Sequence, residues 1–252
     1  MSSSSKRVPP TPSSSKRRRD AKILVNGGAN VSDLSDELGR RLPLFSRDLD
    51  WLIIASTQEN QLAALPRIVE RYAPENVLWS GNVQASFSSR LLDEYFAQNE
   101  IPVTQAEVGQ RLELGDGAFI EVQAAGPRGS VLLIEYGSFR ALLPIGVGEG
   151  TFESLEFGNS IGKVDVLLLA ESGYAPGNPP DIVENLNPQL VVLSVAAGDP
   201  NGLPHQEVLD MLSGYSLLRT DRNGWIDVST DGVEMQVNVE RGEAQETEPR
   251  GE

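Results

Sequence analysis

The stretch Asp50-Trp-Leu-Ile-Ile-Ala-Ser-Thr-Gln-Glu-Asn-Gln-Leu-Ala-Ala-Leu65 changes its hydrophobic period halfway along. Trp51 to Ala55 is a short unbroken apolar run, the pattern of a strand buried on both faces. After the polar residues Ser56 to Gln61, apolar side chains return at Leu62, Leu65, Ile68 and Val69, the spacing of one helix face. Upstream, Lys22-Ile-Leu-Val-Asn26 is a second such strand, ended by Gly27-Gly28, and Leu34, Leu38 and Leu42 mark a helix over Ser32 to Leu42. Downstream, Val77 to Trp79 reads as a third strand and Phe87 to Phe96 as another helix.

The middle of the chain turns to hairpins. Arg111 to Leu114 and Ala118 to Val122 flank Gly115-Asp-Gly117, and Val131 to Tyr136 and Phe139 to Leu143 flank Gly137-Ser138. Alternation then resumes: Val164 to Leu169 and Leu190 to Ser194 are apolar strands, with helices at Ile182 to Leu186 and Glu207 to Leu212. Trp225 to Ser229 and Val233 to Val239, joined by Asp231-Gly232, form a last hairpin. Two blocks of strands with helices predict an α/β fold of two mixed sheets packed face to face, with helices outside.

A chain of 252 residues suits one domain of the larger α/β sort. No run approaches the ~18 apolar residues of a membrane span, and the Ser-rich basic start lacks the apolar segment of a signal peptide. Such a chain is expected to be soluble: cytoplasmic if complete, otherwise a soluble domain of a membrane protein. Cysteine is absent, which excludes disulfides, thiolate zinc sites and a cysteine nucleophile. The formal charge of −15 is split. Lys6, Arg7, Lys16, Arg17, Arg18, Arg19 and Lys22 against Asp20 give the first 22 residues +6, leaving −21 for the rest. A body that acidic repels polyanions, so contact with DNA is expected from the tail, at Lys16, Arg17, Arg18 and Arg19. Residues 1–21, a Ser/Arg/Pro-rich stretch, and the acidic residues 241–252 are expected to be disordered tails around a domain at 22–240.

Several segments, in order, resemble the metallo-β-lactamase domain at the C-terminal end of ComEC-type DNA-uptake proteins. Ile23 to Gly28 is similar to an apolar strand ending in Asp-x-Gly. Asp50 to Leu65 resembles a strand running into Ser-His-x-x-x-Asp-His and then a helix. Phe139-Arg-Ala-Leu-Leu-Pro-Ile-Gly146 is similar to the strand that ends in Gly-Asp, and Val164 to Gly173 to the one that ends in His-His-Gly. Asn201-Gly-Leu-Pro-His-Gln-Glu-Val-Leu209 and Leu218-Arg-Thr-Asp-Arg-Asn-Gly-Trp-Ile226 resemble the family's Asn…His-Pro helix and its Arg-Thr-Asp-x-x-Gly turn. The resemblance implies a metallo-β-lactamase-like αββα four-layer sandwich. The family's two opening strands, with Phe-x-Asp-Val-Gly-Gln-Gly, have no counterpart before Ile23, so the chain is either truncated or altered there.

In this family imidazole and carboxylate hold one or two divalent ions that activate water for hydrolysis. The matching positions here carry other residues. Asn26 stands at the first-motif Asp, Ser56 at the first His of the second motif, Asn60 at its Asp and Gln61 at the following His, with Gln58 between them. Ile145 or Val147 stands at the Gly-Asp carboxylate, Glu171 and Ser172 at the His pair, and Leu203 at the His before Pro204. An amide keeps the size and hydrogen bonding of the ligand it replaces and discards its metal affinity. The resemblance so read implies a catalytically inactive domain with no cofactor, serving structure or interaction in DNA uptake through DNA or a membrane-machinery partner. The alternative is a hydrolase, a phosphodiesterase or nuclease, with a relocated carboxylate site drawn from Asn26, Glu59, Glu149, Glu171 and Asp199. Its cofactor would be a divalent metal, zinc or manganese, and carboxylates would suit magnesium or manganese better.

Asn60 and Gln61 read first as a helix N-terminus that caps itself, with a remodelled ligand pocket as the alternative. His205, the single histidine, reads as a partly exposed residue at a helix start. Gly146, Gly148 and Gly150 lack the G-x-G-x-x-G spacing of a dinucleotide site and read as a flexible turn.

Overall fold

The computed structural model describes residues 21–43, 46–147, 155 and 161–242. The predicted tails lie almost wholly outside them, as do the Lys16 to Arg19 cluster, Gly148, Glu149 and Gly150. The first sheet has the order β1-β2-β3-β4, with β1 at Ile23–Val25, β2 at Leu49–Ile54, β3 at Pro74–Trp79 and β4 at Val103–Gln105. All its pairings are parallel and in one register row, Leu24 beside Leu52, Leu52 beside Val77 and Val77 beside Val103. Parallel neighbours need a crossover, and the sequence supplies helices for it: α1 (Val31–Arg41), α2 (Glu59–Leu62) with α3 (Leu65–Val69), and α4 (Phe87–Gln98). The hairpin signals all fall after residue 110, so this sheet is parallel throughout rather than mixed.

The second sheet has the order β11-β10-β9-β8-β7-β6-β5. Its strands are β5 (Arg111–Gly115), β6 (Ala118–Gly126), β7 (Gly129–Tyr136), β8 (Phe139–Ile145), β9 (Val166–Leu168), β10 (Leu190–Leu193) and β11 (Leu217–Arg219). The chain from β8 to β11 pairs in parallel. Helices α5 (Pro180–Leu186) and α6 (Gln206–Met211) and the short α7 (Thr220–Asn223) accompany these strands. β12 (Ile226–Thr230) and β13 (Met235–Val239) form a separate antiparallel pair. At the turn Gly115-Asp116-Gly117, φ is 106, 50 and 88°, a run of positive angles that glycine and aspartate tolerate and most residues do not.

By contacts the chain divides into two compact units, Met1–Gly115 with Val122–Val131, and Asp116–Glu121 with Leu132–Glu252. The first has a core of Leu52, Ile54, Leu62, Leu65, Val69, Val77, Trp79, Leu92 and Phe96, with Trp79 meeting Phe96 edge to face at 6.3 Å. In the second, Phe139, Ala141, Val166, Leu190 and Leu218 gather with Val237, so the β12–β13 hairpin covers an apolar face of its own unit.

The helix predicted through Leu62 and Val69 is broken at Ala63-Ala64. Pro66 has no N–H to continue the ladder, and the Ala64 N–H bonds outward to the Gly28 carbonyl at 3.1 Å. Its apolar face survives the break, and Leu62, Leu65, Ile68 and Val69 are all buried.

Candidate functional site

In the first unit the ends of β1 and β2 converge on Asn26. Its backbone is left-handed, with φ 51°, a conformation asparagine accepts more readily than most residues. The side chain is buried, 3 % exposed. Its Oδ1 accepts the Ala55 N–H at 2.8 Å and the Ser56 N–H at 3.3 Å, and its Nδ2 donates to Gln61 Oε1 at 3.5 Å. The backbone tightens the same joint: the Gly27 and Gly28 N–H groups both donate to the Gln61 carbonyl, at 3.0 and 2.9 Å. A Cβ at Gly27 would come within 2.6 Å of the Leu65 side chain, so any other residue there would force Leu65 to shift. Ser56 is fully buried, and its Oγ accepts the Gln58 N–H at 3.4 Å as α2 begins.

The structure brings Asn26, Ser56 and Gln61 together, while Asn60 is exposed on α2. The self-capping reading is corrected: the residue before α2 is Gln58, it makes no side-chain cap, and Gln61 faces Asn26 instead. One member of this neighbourhood carried no sequence signal for its role. Glu59 accepts the Ser88 N–H at 3.0 Å and the Ser88 hydroxyl at 2.7 Å, tying α2 to the first turn of α4. The Ser88 N–H, helped by the hydroxyl, holds its carboxyl below the usual glutamate range against the opposing effect of burial.

In the second unit, β9 runs into Ala170, and Glu171, Ser172 and Gly173 follow with φ of 48, 54 and 81°. Two successive non-glycine residues in this region are uncommon and need support. Asn178 provides it. Buried, it accepts the Ala170 N–H at 2.9 Å and donates to the carbonyls of Ala170 and Tyr174 at 3.0 and 2.8 Å. The Leu203–His205 segment lies against this turn: His205 N–H donates to the Gly173 carbonyl at 3.1 Å, and a Cβ on Gly173 would meet Pro204 at 2.6 Å. The turn that carries Glu171 and Ser172 thus lies against the segment that carries Leu203, within their own unit. His205 is the residue before α6, with its ring 5.3 Å from that of Tyr174. Val147 is buried past the end of β8 and Ile145 only half-buried.

The Arg-Thr-Asp segment has a structural role here. Arg219 and Asp221 form a two-pronged ion pair, Nε to Oδ1 at 3.0 Å and Nη2 to Oδ2 at 2.7 Å, with both side chains largely buried. Thr220 Oγ1 donates to the Val195 carbonyl and accepts its N–H, both at 2.8 Å, fixing the loop after β10. The Arg219 hydrogen bonds hold the Asp221 carboxyl below its ordinary value. A depressed folded pKa adds stability above the unfolded value that disappears as pH falls through the folded one. Stability is therefore expected to fall below about pH 4. Asp221→Ala should remove part of that acid dependence and cost about 2 kcal/mol at neutral pH by leaving a buried guanidinium unpaired, measured by urea unfolding across pH.

What can the arrangement do chemically? Around Asn26 the donors do not fit a divalent ion of the family's kind: a neutral amide oxygen already accepting two N–H groups, a second amide and a hydroxyl, with no carboxylate or imidazole among them. The relocated set fares no better. Glu59 is engaged with Ser88, and Asp199 Oδ1 accepts the N–H groups of Asn201 and Leu203 in its own loop at 2.8 and 3.4 Å. Among the described residues no three His, Cys, Asp or Glu side chains gather as a metal group would require. No helix among them is long and apolar enough to cross a membrane.

No family model matches the chain. It is similar to ComE operon protein 3 of Bacillus subtilis, 24 % identical over 194 residues, a match that covers 71 % of this chain and 24 % of that protein. The chain thus spans about a quarter of the length of that relative. Among solved structures it is similar to Zn²⁺-bound PqqB from Methylobacterium extorquens, with TM-score 0.51, 13 % identity and coverage of 79 % of this chain and 80 % of that one. It is also similar to the metallo-β-lactamase-fold protein YhfI from Bacillus subtilis, with TM-score 0.49, 13 % identity and coverage of 79 % and 84 %.

The PqqB structure corrects one expectation, that of no cofactor. A protein of this fold carries zinc, and replaced ligands at matched positions speak only for those positions, not for the fold. The order of the segments, the two-sheet α/β architecture and the likeness to PqqB agree: the chain has a metallo-β-lactamase-like α/β fold, and in sequence it is similar to the ComEC-type protein named above.

Proposed function

We propose that the chain is a non-hydrolysing, competence-related domain, retained for a structural or interaction role in DNA uptake. The observation that carries this reading is the engagement of Asn26. At the position where the family's first-motif carboxylate would face a metal, a carboxamide bonds two backbone N–H groups of the β2 end and one amide of α2. Metal-dependent hydrolysis needs anionic or imidazole ligands that leave an ion open to water. An amide spent on the backbone supplies neither. The link to competence is supported by the similarity to ComE operon protein 3, and the whole of that protein's role is carried over only as part of this proposal.

The experiment is turnover of a phosphodiester substrate by the full chain with zinc or manganese added. No turnover above the metal-only control is expected, and metal-dependent turnover would overturn the reading. For the interaction role, binding of duplex DNA is expected to be weak, indifferent to sequence and steeply reduced by salt, because only the first 22 residues carry a net positive charge. Deleting residues 1–21 should abolish it. Binding that survives the deletion and resists salt would place the contact in the acidic body and contradict the assignment to Lys16 to Arg19.

A further inference from the structure

The sequence contains three Asn-Gly dipeptides, Asn26-Gly27, Asn201-Gly202 and Asn223-Gly224. In such a pair the glycine offers no Cβ to hinder its own backbone nitrogen from attacking the asparagine carboxamide. In the attack the nitrogen loses its proton to solvent base and forms a bond to Cγ. The Cγ–Nδ2 bond breaks, and ammonia leaves with a proton from water. The cyclic imide that results then takes up water at either carbonyl, giving aspartate or its β-linked isomer. The sequence gives the three sites equal standing, and the structure separates them.

In each pair the glycine N–H is held by a carbonyl, that of Gln61 for Gly27, Asp199 for Gly202 and Thr220 for Gly224, at 3.0 to 3.1 Å. That bond must open at all three, so it does not discriminate. The carboxamides do. Asn26 is buried with its Oδ1 accepting two backbone N–H groups and its Nδ2 donating to Gln61. Asn223 Oδ1 accepts the Arg219 N–H at 2.9 Å and its Nδ2 donates to the Arg241 carbonyl at 3.3 Å. Asn201 differs: it is exposed, Gly202 beside it is exposed, and among the described residues only its backbone N–H is engaged, with Asp199 Oδ1.

We propose that Asn201 is a site of spontaneous deamidation in the folded protein, whereas Asn26 and Asn223 are locked as amides by the fold. Conversion adds a negative charge to the Asp199–Leu203 loop, and the β-linked product adds a backbone atom just before the Leu203–His205 segment that rests on Gly173. The lock on Asn26 has a second consequence. The carboxylate that the family carries at that position cannot arise there by ageing while the domain stays folded.

The test is incubation of the full chain at mildly alkaline pH, followed by peptide mapping by mass spectrometry, with and without denaturant. In the folded protein the Asn201 peptide should convert at least tenfold faster than the other two, and in denaturant the three rates should converge. The Asn201→Gln variant should show no early product. Conversion of Asn26 or Asn223 in the folded chain at a rate matching Asn201 would overturn the proposal. So would an Asn201 that converts in denaturant but not in the folded chain.

Discussion

Trp79→Ala is expected to destabilise the first unit by about 4 kcal/mol, the usual range for emptying an aromatic site in a packed core. Trp79 is 1 % exposed and sits among Leu52, Ile54, Leu62, Leu65, Leu92 and Phe96. The informative comparison is Trp79→Phe. The indole Nε1–H is buried without a hydrogen-bond partner among the described residues, so removing it costs no bond and relieves a desolvated donor. Phenylalanine should therefore cost about 1 kcal/mol, from lost volume alone. Urea unfolding of both variants measures the difference. Equal losses would show that the indole N–H is bonded and that this account of the core is wrong at its centre.

The second large effect is at Asn26. Alanine there leaves the Ala55 and Ser56 N–H groups buried without an acceptor and places a Cβ residue at φ 51° without the amide that tolerates it. A loss of about 3 kcal/mol is expected, most of it from the two donors. Asn26→Gly isolates the backbone part: glycine adopts the left-handed region freely, so it should recover about 1 kcal/mol and no more. A neutral Asn26→Ala would mean that the β1 and β2 ends hold together without the carboxamide.

Much of the fold was legible because apolar runs and turn glycines are local signals. β1, β2 and β3 coincide with the runs at Ile23, Trp51 and Val77, and Gly115-Asp-Gly117 marked its hairpin. β4 escaped notice because all three of its residues are exposed and no apolar run marks it, and β11 was read only as part of the Arg-Thr-Asp turn. The break between α2 and α3 depends on the Gly28 carbonyl, more than thirty residues upstream, which no local window contains.

The candidate site divides in the same way. The positions that the resemblance sets against the family's ligands were read from the order of resembling segments, and of these Asn26, Ser56 and Gln61 do meet. What they do was not legible: the capping reading of Gln61 rested on residue type, while its facing of Asn26 needs the strand and helix to be placed. The left-handed Glu171 and Ser172 gave no signal beyond Gly173, because their support comes from Asn178 across a loop. Glu59 was weighed as a metal ligand for its charge, whereas its carboxylate serves the first turn of α4.

The proposal that an engaged carboxamide has replaced a working ligand is tested most directly by restoring ligands. Phosphodiesterase turnover with zinc or manganese is to be compared in the wild type, in Gln61→His, and in the combined Asn26→Asp, Ser56→His, Asn60→Asp, Gln61→His variant. One imidazole added to a joint still bonded through Asn26 cannot gather the several ligands that lower the pKa of a bound water, and the groups that would orient them are missing too. The account predicts no metal-dependent turnover in the wild type or in Gln61→His, with both proteins folded. Turnover in either one would mean that a working site already exists in this chain and would contradict it.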